Sequence, residues 1–114
     1  MRGQTIYTTT IASFATLSSE VDLGQNWDTA YLVIQSMVSN SQHHLKAATT
    51  SGGDYRRVML PAFNTSSVQT NAWAVTSAAT SAVVPIPQGL RYIKIETTAV
   101  ISATQDYTII VGGN

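Results

Sequence analysis

The clearest alternation in the chain runs from Arg91 to Thr97, where Tyr92, Lys94 and Glu96 fall on one face and Arg91, Ile93, Ile95 and Thr97 on the other. A period of two is the signature of a strand buried on one side, so this stretch predicts a strand with Ile93 and Ile95 in the core. Val83-Val84-Pro85-Ile86-Pro87-Gln88-Gly89-Leu90 precedes it. Pro85 and Pro87 lack backbone donors and Gly89 permits a tight turn, so a central strand cannot pass through this segment and a new strand starts after it. Residues 4 to 16 alternate more loosely, with Ile6, Thr8, Thr10, Ala12 and Phe14 against Tyr7, Thr9, Ile11 and Ser13. They predict a long first strand, or an extended N-terminal arm or edge strand over residues 1–10.

Leu17 to Gly24 sets Leu17, Ser19, Val21 and Leu23 against Ser18, Glu20 and Asp22, a short one-sided strand. After a turn around Trp27, Ala30 to Val38 is apolar on both faces, the pattern of a central strand covered on both sides. Ser39 to Gln42 is a polar break. Leu45 to Thr50 predicts a strand, Ser51-Gly52-Gly53-Asp54 a turn, and Tyr55 to Leu60 a further strand that Pro61 stops. Ser67 to Val75, carrying Trp73, and Val83 to Ile86 follow. Val100-Ile101-Ser102 and Tyr107 to Val111 predict a terminal hairpin around Ala103 to Asp106. Eight to ten short strands spaced about ten residues apart indicate a single all-β domain, a sandwich or barrel, over residues 1–114.

Composition narrows the functional classes. Only 11% of the 114 residues are charged while 44% are hydrophobic, and 16 Thr and 12 Ser supply the polarity. Hydroxyl-rich, β-branched surfaces suit strands but leave few charges to hydrate a lone monomer, so part of the surface is expected to be covered in an assembly. Net charge is zero, and no global field draws the chain to nucleic acid or anionic membrane. The absence of cysteine removes disulfides, thiolate metal sites and cysteine nucleophiles. No apolar run reaches the ~20 residues of a membrane span, and the threonines after Met1 do not form a cleavable signal core.

Candidate chemistry is sparse. His43-His44 is the first place to seek a metal or a general base, but neighbours on a strand point to opposite faces and no third ligand lies close in sequence, so an exposed polar loop edge is the simpler reading. Glu20 and Asp22 share a face and fit a solvated surface better than an acid/base pair. No nucleophile elbow or phosphate loop is present; the chain is expected not to be an enzyme and to need no cofactor. Arg56-Arg57 beside Tyr55, with Arg91-Tyr92-x-Lys94, is too small a set of cations on a neutral chain to indicate nucleic-acid binding. Trp27 and Trp73 could stack on sugar rings, although tryptophan serves more often in cores and interfaces.

Three segments carry a resemblance: Leu17-Ser18-Ser19-Glu20-Val21-Asp22-Leu23-Gly24, Ser51-Gly52-Gly53-Asp54-Tyr55-Arg56-Arg57-Val58, and Gly89-Leu90-Arg91-Tyr92-Ile93-Lys94-Ile95 with the Tyr107 to Val111 strand. In order and spacing they resemble small structural proteins encoded among the virion genes of tailed bacteriophages. The second segment departs from that family's usual Ser-x-Asp-Gly hairpin. The resemblance implies a β-sandwich of jelly-roll type acting as a capsid cement or decoration protein, made in the host cytoplasm and carried on the outer capsid surface. It further implies a homotrimer that bridges neighbouring major capsid subunits, with neither nucleic acid nor membrane as partner. Ile6, Tyr7, Thr8, Trp27, Arg56, Arg57 and Trp73 are the candidate assembly-interface residues. The alternative is a receptor- or carbohydrate-binding module of a head or tail fibre.

Overall fold

A computed structural model describes residues 3–24, 27–34, 42–61, 70–72, 74–75, 81–101 and 103–113, with the backbone alone between 59 and 75. It contains β1 (Gly3–Ile11), β2 (Val21–Asp22), β3 (Thr29–Ile34), β4 (His43–Ala48), β5 (Arg56–Arg57), β6 (Met59–Pro61), β7 (Thr70–Ala72), β8 (Ala74–Val75), β9 (Ala82–Pro85), β10 (Tyr92–Thr97) and β11 (Gln105–Gly113). One sheet runs β1-β11-β3-β9 and the other β2-β10-β4-β5, with β8 also on β4 and a separate β6-β7 ribbon. All pairings are antiparallel.

The order identifies the sandwich. When the ribbon is set aside and β5 and β8 are treated as one edge position, the chain visits strand positions 1-8-3-6 in one sheet and 2-7-4-5 in the other. That alternation between sheets is the double Greek key of a jelly roll. The core lies between the sheets: Ile11, Tyr107, Ile109, Val111, Leu32 and Ile34 from the first face Val21, Leu45, Ile93 and Ile95 from the second. Ile93 and Ile95 are fully buried, as the alternation predicts.

Several local expectations change. β1 ends at Ile11 rather than Phe14 or beyond; the chain then leaves the sheet, and Thr16 O accepts from Thr97 N–H of the opposite sheet at 2.9 Å. β1 is no free arm, because all nine residues pair with β11. The Leu17 to Gly24 strand shrinks to two residues. Ser18 is buried, Leu17 is exposed, and Ser18 meets Ile95 twice: its N–H donates to Ile95 O at 2.9 Å, and its Oγ accepts from Ile95 N–H at 2.8 Å. A side-chain oxygen thus takes over a ladder position, as at a bulge.

β3 is inside its sheet as expected, but one face is open: Tyr31 is 42% exposed while Ala30, Leu32 and Ile34 are buried. Residues 35 to 38 of that expected strand lie outside the described residues. Pro61 closes β6 from within. The expected Ser67 to Val75 strand is split, with β7 pairing β6 and β8 pairing β4, and its residues 67–69 and Trp73 lie outside the described residues. The terminal hairpin is overturned. β11 is sandwiched between β1 and β3, and Ile101 reaches the core from a loop while Val100 is exposed. Closing a jelly roll requires its last strand to pair with its first and third, so β11 does not pair with Val100 or Ile101; Ser102 lies outside the described residues.

Candidate interaction surfaces

The two outer faces of the sandwich differ in kind. On the five-stranded sheet, register places Lys94 opposite Lys46, and Lys46 opposite Arg57, a row of like charges that would be repulsive alone. Glu96 offsets it, accepting from Arg57 Nε at 3.0 Å and lying 3.6 Å from Lys46 Nζ. Lys94 Nζ sits 4.7 Å over the Tyr55 ring, a cation–π contact. Tyr55 in turn donates its hydroxyl to Glu20, and partial burial with this bond pushes the phenol well above its ordinary pKa.

Glu20 organises the turn after β4. Its carboxylate accepts from Ser51 Oγ at 2.6 Å and from Gly52 N–H at 2.8 Å, and these donors, with Tyr55, hold its pKa below the ordinary value. Gly52 has φ of 70°, the left-handed conformation glycine adopts without strain. Asp22 is gripped by Arg91 through Nε at 2.8 Å and Nη2 at 3.1 Å, a bidentate fork that, with the Gly24 N–H, keeps the carboxylate pKa low. The Arg91 guanidinium also lies 5.0 Å from the Tyr92 ring centre. Arg91 precedes β10, so it does not occupy the core face that alternation assigned to it; it and Lys94 both reach the surface. Glu20, Asp22, Lys46, Arg57, Arg91, Lys94 and Glu96 are thus engaged in fixing loops or strands, and Glu20 and Asp22 are each held by a different set of partners.

On the four-stranded sheet the strands carry one described charge on the outer face, Asp106, which accepts from Thr10 Oγ1 at 2.9 Å at one end of β11. Register aligns Ile6, Ile110, Tyr31 and Pro85 in one row across all four strands, and Thr8, Thr108, Val33 and Val83 in the next. Ile6 is 62% exposed and Val83 66%. All five described Lys and Arg residues (Lys46, Arg56, Arg57, Arg91, Lys94) belong to the other sheet or its loops. Contiguous apolar surface rimmed by polar groups marks an interaction site more often than chance.

The sequence-predicted interface residues therefore divide. Ile6 and Thr8 point outward on this bare face. Tyr7 turns inward and packs against the core. Trp27 also packs on the core, and its Nε1 donates to Leu90 O at 3.1 Å. Arg57 lies on the charged face; Arg56 is exposed beside it and lines an open groove of about 700 Å³ with Ala47, Asp54, Leu90 and Arg91. Trp73 lies outside the described residues.

His43 and His44 are not a loop edge. They open β4, and both are buried. His43 faces the core, where Nδ1 and the Tyr107 hydroxyl share a 2.7 Å hydrogen bond and the rings meet edge-on. Burial, then the neighbouring His44, lowers the His43 pKa; burial raises that of Tyr107. Among the described residues no three His, Asp or Glu side chains gather as a metal site.

No family model and no curated protein matches the chain. Among solved structures it is similar to the crystal structure of the SPBc2 prophage-derived protein YomS, with a TM-score of 0.65 and 14% identity, over 99% of this chain and 96% of that one. The likeness is one of fold: the whole jelly roll, from β1 to β11, has a counterpart in a protein of prophage origin.

Proposed function

We propose that this protein is a bacteriophage virion component, a decoration protein that seats on the outer capsid shell and bridges neighbouring major capsid subunits. The observation that carries the reading is the bare outer face of the β1-β11-β3-β9 sheet, with Ile6, Tyr31 and Val83 exposed and Ile110 half-buried among them, while every described Lys and Arg lies on the opposite sheet or its loops. Such a division suits a protein with one side laid on a partner and the other in solvent. Shared fold with a prophage-derived protein and the sequence resemblance support the phage setting. A shell offers many copies of one site at high local concentration, so modest contacts per copy suffice for full occupancy.

The test is addition of purified protein to undecorated capsids of the phage that encodes it, followed by sedimentation. Stoichiometric co-sedimentation of the native chain, with loss of binding for Tyr31→Lys and Val83→Lys but not for Lys46→Ala, is the expected result. Equal binding by all four proteins would refute the assignment of the face, and no binding by the native chain would refute the function.

A further inference from the structure

Sheet edges are where a β protein meets other strands, and this sandwich treats its four edges unequally. β9 is four residues long and ends in Pro85, with Pro87 just beyond. β2 has two residues, one of them Asp22. On the far side of β4, β5 and β8 also have two residues each, and β5 is Arg56-Arg57. Shortness, proline and charge are the usual protections against edge pairing. β1 has none of them: it is nine residues of Gly, Gln, Thr, Ile and Tyr, in unbroken register with β11.

The parity of the ladder shows which groups of β1 face outward. Ile86 N–H donates to Ala30 O at 2.9 Å, so Ala30, Leu32 and Ile34 bond toward β9, and the alternate residues Tyr31 and Val33 toward β11. Their partners Ile110 and Thr108 then bond toward β3, which leaves Tyr107, Ile109 and Val111 to bond β1 at Thr9, Tyr7 and Thr5. Gln4, Ile6, Thr8 and Thr10 therefore turn their N–H and C=O groups to the open edge. All four are exposed, and no other strand pairs with β1 among the described residues.

We propose that β1 pairs antiparallel with β1 of a second copy, across a two-fold axis at Tyr7, joining two four-stranded sheets into one. This register overlaps all nine residues. It sets Ile6 against Thr8 and Gln4 against Thr10 of the partner, outward-bonding residue against outward-bonding residue, so about eight backbone hydrogen bonds form. No charge opposes a like charge. Because the other edges of the two main sheets are protected among the described residues, another β1 is the matching partner for a β1 strand, and an isologous contact of this kind closes at two copies instead of growing into a fibre. The bare outer faces then become continuous across the axis. The pairing rests on the edge alone and holds whether or not the protein binds a capsid.

Sedimentation equilibrium of the full chain reads the stoichiometry, and a species of twice 12.2 kDa is expected. Thr8→Pro removes an outward donor and leaves the β1-β11 ladder untouched, so it should give a monomer with an unchanged circular dichroism spectrum. The register is read by oxidation, which is clean in a chain without cysteine. Opposed residues of a hydrogen-bonded pair lie about 5.5 Å apart at Cα, within disulfide reach. Ile6→Cys mixed with Thr8→Cys should cross-link, whereas each variant alone should not. A native monomer, a native trimer as the family resemblance implies, or cross-linking of Ile6→Cys alone would each overturn the proposal.

Discussion

The His43–Tyr107 pair offers a direct test of how the core is held. Tyr107 is 1% exposed and His43 fully buried, and their hydrogen bond spans β4 and β11, one strand from each sheet. Tyr107→Phe deletes the hydroxyl but keeps the ring and its edge-on contact at 5.8 Å, so little packing is lost. What remains is a buried imidazole whose Nδ1 has lost its partner and whose Nε2 already has none among the described residues. Leaving one buried polar group unsatisfied costs about 1–3 kcal/mol. For a domain of this size that corresponds to a fall in Tm of about 4–12 °C. Urea denaturation monitored by tryptophan fluorescence measures it directly. The double variant His43→Leu/Tyr107→Phe should recover most of the loss, because removing both partners leaves no orphan. A Tyr107→Phe protein within about 0.5 kcal/mol of the native one, or a double variant less stable than the single, would refute the reasoning, since surface-like changes fall in that range.

Three further outcomes follow from the same structure. Stability should decline as pH falls below 6.5, the ordinary value of the imidazole: folded His43 has a lowered pKa, so the unfolded chain takes up a proton that the folded chain resists, and stability present above 6.5 is lost on acidification. Glu20 and Asp22 are also depressed, but from ordinary values of 4.5 and 3.8, so their contributions are lost only at lower pH; His43→Leu should flatten the profile just below pH 6.5 and leave the carboxylate-driven acid limb intact. Ser18→Ala removes the Oγ that accepts from Ile95 N–H and should cost about 1–3 kcal/mol, with faster hydrogen exchange at the Ile95 amide as its local signature. Gly113→Ala should lower the urea midpoint, because φ is 134° and an added Cβ would lie 2.5 Å from the Asp28 nitrogen; an unchanged midpoint would mean that the β3 entry yields freely.

What could be read from the chain was whatever depends on near neighbours. The alternation of Tyr92 to Thr97 gave both the strand and its buried face, and the turn at Pro85 to Gly89 marked an edge. The terminal hairpin failed because adjacency in sequence says nothing about pairing when the last strand must join the first and third; the β1 partners of Tyr107 to Val111 lie about a hundred residues away, Thr5 of β1 being 106 residues from Val111. His43 was legible in principle. Carrying the parity of buried Leu45 back two residues puts it on the core face, but the polar run before it reads as loop, and a histidine can enter a core only if something like Tyr107 meets it there. The roles of Glu20 and Asp22 were invisible for the same reason, since the donors of Glu20 are about thirty residues away and the guanidinium that holds Asp22 is sixty-nine residues away.

The most informative misreading is that of β3. Ala30 to Ile34 is apolar on both sides, and such strands are ordinarily covered on both faces. Among the described residues only one face is covered: Ala30, Leu32 and Ile34 meet the core, while Tyr31 and Val33 lie in a layer with Ile6, Ile110 and Val83. Asp106 apart, the strands of that layer carry no described charge, whereas on the opposite sheet Glu96 and Asp22 hold Arg57 and Arg91. A sequence that writes a two-sided strand into a one-sided sheet has specified a cover that the described residues do not contain. The low charge of the whole chain and the unprotected β1 edge next to the same layer are consistent with that cover being another protein surface.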